Sequence, residues 1–535
     1  MEQYKKDFID FLLKNNALRI GSDYSLKSKR LSPWFVNIGD FNTGESIASL
    51  GGFYASTLFN FTSNSEKSFG TLYGIPEKGN ALVVATAIKM NERGYNLPWF
   101  FTRKVPKEYG EATNLSQADR IKALVVGRAP QNNQSIAQLD DVFTAGDAKY
   151  EARKILESLG NFNYPVLVIG VDRQEVGIDG KSAIEEYEKN TGTKVVSIVN
   201  ATEVYNYLRE VSSERLKKVR QEIHETNFII SDLGTRVDST PLSDKNLIKG
   251  LINELASARE NLKRLNDLAI TYDPGSLSRL VTYLRVYGTK VAKESLNLNS
   301  LEQIIIEPDR SVIPACDTSS LEKFEEVVKQ TADIDKIGGY KIGFELGLNF
   351  GLPKIVETVR KHTNKTIIYD HQKAGTDIPD TGKNFAKVCK SAGVDAVIFF
   401  PQSGPETERA WIYHALDNNL KVIIGGRMTH PAYSVSEGGF ITDEGALEMY
   451  KIAARSGINN FVVPGNKPDI IALIKKTVEG EGINPVFYAP GFVAQGGKIE
   501  DATKVAGNKW HAIVGRGILQ AEDVRKAAIE HTSQI

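Results

Sequence analysis

SVIPAC (311–316), GYKIGF (339–344), TIIYD (366–370), AVIFF (396–400), KVIIGG (421–426), NFVVPG (460–465), PVFYAPG (485–491) and HAIVGRG (511–517) are eight short apolar, β-branched runs in the last part of the chain. Helical patterns such as SSLEKFEEVVKQTAD and GALEMYKIAARSG lie between them. An apolar run followed by a helical pattern, repeated, is the mark of parallel strands joined by crossover helices. An open doubly wound sheet would satisfy the same alternation. Eight repeats within residues 304–535 favour closure into a (β/α)8 barrel.

Functional groups of such a barrel sit where strands end and loops begin. Asp317 follows the first run, and Lys341 lies inside the second. Asp370 ends the third run and is followed by Lys373 and Asp377. Arg427, Met428, Thr429 and His430 follow the fifth. An ammonium inside an apolar strand is costly without a partner, so Lys341 should meet an acid from a neighbouring strand end. Alternating lysines and acids can hold an ammonium beside a carbanion-like centre and deliver a proton. QGG (495–497) after the seventh run and GRG (515–517) after the eighth offer backbone N–H groups and the Arg516 guanidinium to a phosphate.

Residues 311–530 resemble orotidine-monophosphate decarboxylase through ACDTS, YKIGFEL, DHQKAGTDIPDT, RMTHP, PGFVAQGG and IVGRG. The resemblance implies that Lys373 protonates C6 of the pyrimidine and that Asp370 sits near the departing carboxylate. It implies that Lys341 bridges the acids and contacts ribose, that Asp317 binds ribose and that Thr429 binds the base. Gln495 and Arg516 would hold the phosphate. Asp377 and Thr381 would reach into the site of a second subunit, which implies a homodimer or higher homo-oligomer. No cofactor is expected for this step. The family usually separates the first acid and the lysine by two residues and the lysine and second acid by three; here the steps are three and four. On a strand, i and i+3 face opposite sides, so the chain must turn around His371 and Gln372. A metal-dependent relative that decarboxylates a keto-sugar phosphate is the nearest enzyme alternative.

Towards the N-terminus, LDDVFTAGDA (139–148) reads as strand, loop and helix start. Asp140 and Asp141 can bind ribose hydroxyls beside a Mg²⁺-diphosphate, while Thr144 and Gly146 cradle a phosphate. Asp147 stands where it could cap the helix. SLKSKRLSPWFVNIGDFNTG (25–44), YGIPEKGNALVVATA (73–87), FTRKVPKEYGEATN (101–114) and DRQEVG (172–177) complete a resemblance to orotate phosphoribosyltransferase over residues 1–205. By that resemblance the first part is a type I phosphoribosyltransferase-like α/β domain. Lys27 would contact orotate, Phe35 would lie under the pyrimidine, and Arg173 would pair with the orotate carboxylate. Arg103, Lys104 and Lys107 would bind the diphosphate, with Lys107 on a loop covering a neighbouring subunit's site. Mg²⁺ would arrive with phosphoribosyl diphosphate, and no protein metal ligands are assigned. The loop departs from the family's Lys-x-His-Gly-Glu-Gly-Gly: Tyr109 replaces the histidine, and Ala112 and Thr113 replace two glycines. A decarboxylase carrying a non-catalytic binding or assembly domain is therefore the alternative to two activities.

The chain thus divides into a transferase-like domain (1–210), a helical region (211–303) and a barrel (304–535). In the helical region Leu247, Ile248, Leu251, Ile252, Leu255, Leu262 and Leu265 recur at helical spacing, with Ser243 or Asp244 as cap. It reads as a linker or bridging module, with no residue that recommends a ligand.

Bulk properties bound the rest. The 66 basic and 66 acidic residues cancel, so no global field attracts nucleic acid or an anionic membrane. Cys316 and Cys389 make neither a disulfide framework nor a zinc pattern, which suits a reducing cytoplasm. MEQYKKDFIDFLLKNNAL reads as an amphipathic helix rather than a secretory signal, and no run approaches a membrane span.

Overall fold

Leu18–Ser25 (β1) and Leu31–Val36 (β2) pair as a two-stranded sheet. Thr71–Gly74 (β3), Trp99–Thr102 (β4), Val125–Gly127 (β5), Ser135–Val142 (β6), Asn163–Asp172 (β7) and Lys194–Asn200 (β8) form a second sheet in the order β5-β4-β3-β6-β7-β8. All its pairings are parallel except β4 with β5. β7 reads as a nearly continuous apolar run because both its faces are covered, as expected of a central parallel strand. This is a computed structural model, and it describes every residue except 27, 104–123, 144–145, 242, 299–302, 372–375 and 493–498. Its contacts divide the chain into two units, residues 1–26 with 32–284, and residues 27–31 with 285–535.

Helix Ala201–Ser239 leaves β8 through a capping box between Asn200 and Glu203. It packs on helix Lys245–Thr271. Asp244 caps that second helix by accepting from the Leu247 N–H at 3.2 Å. Leu251 and Leu265 of its apolar stripe are buried, whereas Leu247 and Ile252 remain exposed.

In the second unit Arg310–Cys316 (β9), Gly339–Ile342 (β10), Thr366–Asp370 (β11), Ala396–Phe399 (β12), Lys421–Gly425 (β13), Asn460–Val462 (β14), Val486–Pro490 (β15) and Trp510–Val514 (β16) close into one parallel barrel. Each overlaps one of the eight quoted runs: β9 and β16 begin one residue earlier, β11 coincides with its run, and β10, β12, β13, β14 and β15 are shorter than theirs. Ile313, Ala315, Ile368, Ile398, Ile423 and Ile513 fill the interior from alternate positions. The barrel floor is polar but satisfied: Ser311 Oγ lies 2.8 Å from His511 Nδ1. Burial pushes the His511 imidazole down to about 3, so the pair is a neutral structural contact. No described helix is long and apolar enough to cross a membrane.

Candidate active sites

The barrel mouth follows from strand alternation. Lys341 is in register with Ala315 and Ile368, both of which face the interior. Asp317 and Asp370 stand two positions beyond those residues and so turn to the same side. The Lys341 ammonium lies 3.1 Å from Asp370 Oδ2 and 3.5 Å from Asp317 Oδ1, with its side chain 8% exposed. Burial pulls this ammonium's pKa down, but Asp370 and Asp317 outweigh it and hold the pKa above its ordinary value. The mouth therefore holds a charged lysine between two strand-end acids. The neighbouring Cys316 thiol is pushed up by burial and stays protonated.

β11 ends at Asp370, so strand alternation does not govern the step to Lys373. Lys373 itself lies outside the described residues, as do Gln372 and Gln495. The chain is described again at Thr376. Asp377 is exposed, and its Oδ1 accepts from the Ile378 N–H at 2.7 Å. The turn is fixed to helix Pro405–Asp417: Thr407 Oγ1 donates to the Asp377 carbonyl at 3.0 Å, and Trp411 Nε1 donates to the Ile378 carbonyl at 3.2 Å. The Thr381 hydroxyl donates to that same carbonyl at 2.8 Å. Beyond β13, buried Arg427 pairs with Asp443 at 2.6 Å and fixes the loop that carries Thr429. Thr429 is half-buried, and its carbonyl accepts from Asn466 Nδ2 at 3.1 Å. Arg516 opens the short helix Arg516–Leu519 after β16. It is exposed and has no side-chain partner among the described residues, so its guanidinium is available to an anion.

In the first unit Asp140 and Asp141 end β6 and are 5% and 6% exposed. Lys149 Nζ lies 2.7 Å from Asp140 Oδ2, and Lys78 Nζ lies 2.6 Å from Asp141 Oδ2. Burial pushes the Asp140 carboxyl up to about 6; Lys149 pulls it back, and Asp141 adds to the rise. Neither lysine was singled out from the sequence. The signal for Lys78 was its place in GIPEKGN, directly after a strand. Lys149 carried none, since lysine in a first helical turn ordinarily points to solvent.

Gly146 has φ 86 and ψ −5 and forms the N-cap of helix Asp147–Leu159, a left-handed conformation that favours glycine. Asp147 is thus the first helical residue rather than the cap. Thr144, Lys27, Lys104 and Lys107 lie outside the described residues. Arg103 is half-buried just beyond β4. Arg173 is brought against β2: Nη2 donates to Ser32 Oγ at 2.9 Å, and its guanidinium sits 4.4 Å from the Trp34 ring. It also pairs with Glu175 at 2.7 Å. Phe35 stacks on Tyr24, with ring centroids 5.5 Å apart.

The carboxylates of Asp140 and Asp141 are hard oxygen donors of the kind Mg²⁺ takes. Two buried acids are each already held by a lysine. Among the described residues no group of three or more His, Cys, Asp or Glu side chains forms a metal cage.

The family model for the orotidine 5'-phosphate decarboxylase / HUMPS family matches residues 310–530. The N-terminal half is similar to the orotate phosphoribosyltransferase of Ruthia magnifica, 40% identical over 218 residues, which are 40% of this chain and 94% of that protein. It is also similar to that of Saccharophagus degradans, 39% identical over 221 residues, 41% of this chain and 95% of that protein. Among solved structures, orotidine 5'-monophosphate decarboxylase from Methanocaldococcus jannaschii, complexed with the inhibitor BMP, is 27% identical. That match covers 42% of this chain and 98% of the other, with a TM-score of 0.38.

Proposed function

Because the chain belongs to the orotate phosphoribosyltransferase family in its N-terminal half and carries an orotidine 5'-phosphate decarboxylase / HUMPS family domain over residues 310–530, we propose that it makes uridine monophosphate from orotate in two steps. In the first, orotate and phosphoribosyl diphosphate give orotidine monophosphate and diphosphate, within residues 1–210. In the second, the barrel of residues 304–535 releases CO₂ and leaves uridine monophosphate. Residues 211–303 join the two.

The observation that carries the barrel half is Lys341 held between Asp370 and Asp317 in a closed parallel barrel. A preorganised ammonium costs little reorganisation when negative charge develops on the pyrimidine ring. Lys373 would donate the proton that replaces CO₂ at C6, with Asp370 against the leaving carboxylate. Lys341 and Asp317 would orient ribose. Arg516 and Gln495 would hold the phosphate, and remote binding of that kind can contribute to lowering the barrier. Thr429 would contact the base.

In the transferase half Asp140 and Asp141 would bind the ribose hydroxyls, and Thr144 and Gly146 the 5'-phosphate. Arg173 would take the orotate carboxylate, with Phe35 and Lys27 beside the ring. Arg103, Lys104 and Lys107 would face the diphosphate, joined by Lys78, which already reaches Asp141. Mg²⁺ bound to the diphosphate would neutralise its charge as it leaves. Asp377 is exposed on the turn after β11 and Thr381, half-buried, opens the helix that follows, and the exposure of Asp377 supports a homodimer that completes each barrel site in trans. A cytoplasmic location fits the two unpaired, buried cysteines.

The test is direct. The purified chain, given orotate, phosphoribosyl diphosphate and Mg²⁺, should form uridine monophosphate with one CO₂ per orotate consumed. CO₂ release from supplied orotidine monophosphate without any orotate consumption would remove the first activity and leave the second.

A further inference from the structure

Helix Ala201–Ser239 and helix Pro274–Tyr287 face each other across a cavity of about 540 Å³. It belongs wholly to the first unit and contains none of the residues assigned above to either reaction. Binding pockets typically span about 300–1,000 Å³ and combine an apolar body with a few placed polar groups. This one has that composition. Leu216 and Leu277 supply an apolar floor, and the Tyr205 and Tyr272 rings stand beside it.

The charge is one-sided. Arg209, Lys217 and Arg220 line the cavity, and no carboxylate among the described residues does. Their spacing, with Tyr205, puts them on one helical face. None of the three has an ion-pair partner among the described residues. Other cations of the same helix are paired: Arg215 with Asp10, and Lys218 with Glu214. The Arg209 guanidinium instead lies 5.6 Å from the Tyr205 ring. Three like charges left unneutralised around one cavity repel each other, and an anion entering there would relieve that repulsion.

We propose that this cavity binds a nucleoside di- or triphosphate. A phosphate monoester carries only about −1.5 to −2 charges at neutral pH, less than the three cations present. A polyphosphate matches them, and the half-buried Tyr205 ring with the apolar floor accepts a planar base. Stacking of bases on aromatic side chains is tolerant of base identity, so uridine and adenosine nucleotides should both enter. The helical region thus acquires a binding role that its sequence periodicity did not disclose.

Equilibrium dialysis of the full-length chain against labelled UTP or ATP tests this, with orotate and uridine monophosphate present to fill the reaction sites. Lys217→Glu combined with Arg220→Glu should weaken UTP binding at least tenfold. Both side chains are exposed, so unchanged UMP formation without UTP would confirm an intact fold. Tyr205→Ala should weaken UTP but not inorganic triphosphate. Equal UTP retention by the wild type and the double variant, or no retention of either nucleotide by the wild type, overturns the proposal. Inorganic triphosphate binding as tightly as UTP removes the nucleoside from it. A chain that binds UTP as expected but makes no UMP refutes the two-step reading alone.

Discussion

Replacing Lys341 by methionine removes the ammonium that lies 3.1 Å from Asp370 and 3.5 Å from Asp317 while keeping an unbranched apolar stem. At an effective dielectric of about 20, each of those contacts carries roughly 5 kcal/mol of Coulomb attraction, much of it offset by desolvation. Breaking a buried pair typically costs about 3–5 kcal/mol, because one charge is left uncompensated. The Asp317 side chain is 43% exposed and can keep water, so the lower end applies. For a unit of this size, about 3 kcal/mol lowers the unfolding temperature by roughly 6–12 °C. Scanning calorimetry should show that fall in whichever transition uridine monophosphate raises in the wild type. Lys341 has its pKa raised in the folded chain, so its stabilisation is complete below the unfolded value of about 10.4. It is lost only as pH rises through the higher folded value, and the deficit should therefore be flat between about pH 6 and 9. CO₂ release should drop at least about a thousandfold, equivalent to roughly 4 kcal/mol of transition-state stabilisation. Adding Asp370→Asn removes the carboxylate that faced the ammonium and should restore much of the stability but none of the turnover. An unfolding temperature within two degrees of wild type, together with turnover within tenfold, would refute the electrostatic account of the mouth.

Four further outcomes follow from the same geometry. Arg516→Ala should weaken uridine monophosphate binding at least about tenfold by calorimetry, the usual scale for a lost charge-assisted contact; unchanged affinity would place the phosphate elsewhere. Orotate consumption should need Mg²⁺ and fall sharply in Asp141→Asn; equal consumption with a chelator present would contradict the assignment. Because burial pushes Asp140 up to about 6, orotate turnover should decline as pH falls through about 6 and this acid takes a proton. Asp172 is also pushed up to about 6 by burial, so Asp172→Asn should leave that limb in place; its disappearance would assign the limb to Asp172 instead. Asp377→Ala and Lys373→Ala, each inactive in decarboxylation, should regain activity when mixed, since about half of the dimers are then mixed and roughly a quarter of all sites are intact. Activity that stays at the level of the separate variants despite proven subunit exchange would place Asp377 in its own chain's site.

The barrel was legible because a closed parallel strand is apolar on both faces and bounded by loop residues, so each of the eight runs announced itself. Lys341 was legible for the complementary reason: a charge inside such a run has to be answered by a neighbour. The identity of the neighbours, Asp370 and Asp317, needed only alternation along two adjacent strands. Lys78 and Lys149 escaped because their partners come from a third element, β6, and sequence spacing cannot report that a loop and a helix both fold back onto one strand end. The cation face of helix 201–239 escaped for a related reason. Arg209, Lys217 and Arg220 look like an ordinary solvated face until Tyr272 and Leu277 are placed across from them. The Leu247 and Ile252 positions show the converse: periodicity identified an apolar stripe but could not say how much of it a neighbour covers.

The two candidate sites both pair strand-end acids with lysines. At β6 each of two acids is held by its own lysine, and at the barrel mouth one lysine serves two acids. The arrangements differ in what they leave to the ligand. Lys341 is held between Asp370 and Asp317, so a substrate entering the barrel meets a fixed charge array and must supply its own charge at Arg516, which has no side-chain partner among the described residues. In the first unit Lys78 is largely exposed while its partner Asp141 is buried, so on the proposed reading diphosphate would draw that ammonium away and leave Asp141 to a ribose hydroxyl. Lys149 has no such freedom: it is buried and also donates to the Val142 carbonyl at 2.7 Å. Asp140 therefore remains ion-paired throughout, with its raised pKa limited by Lys149, whereas Asp141 is the acid whose partner can change with the ligand. On this reasoning the electrostatic switch in the transferase half lies at Lys78–Asp141, and Lys78→Ala should affect phosphoribosyl diphosphate binding more than orotate binding.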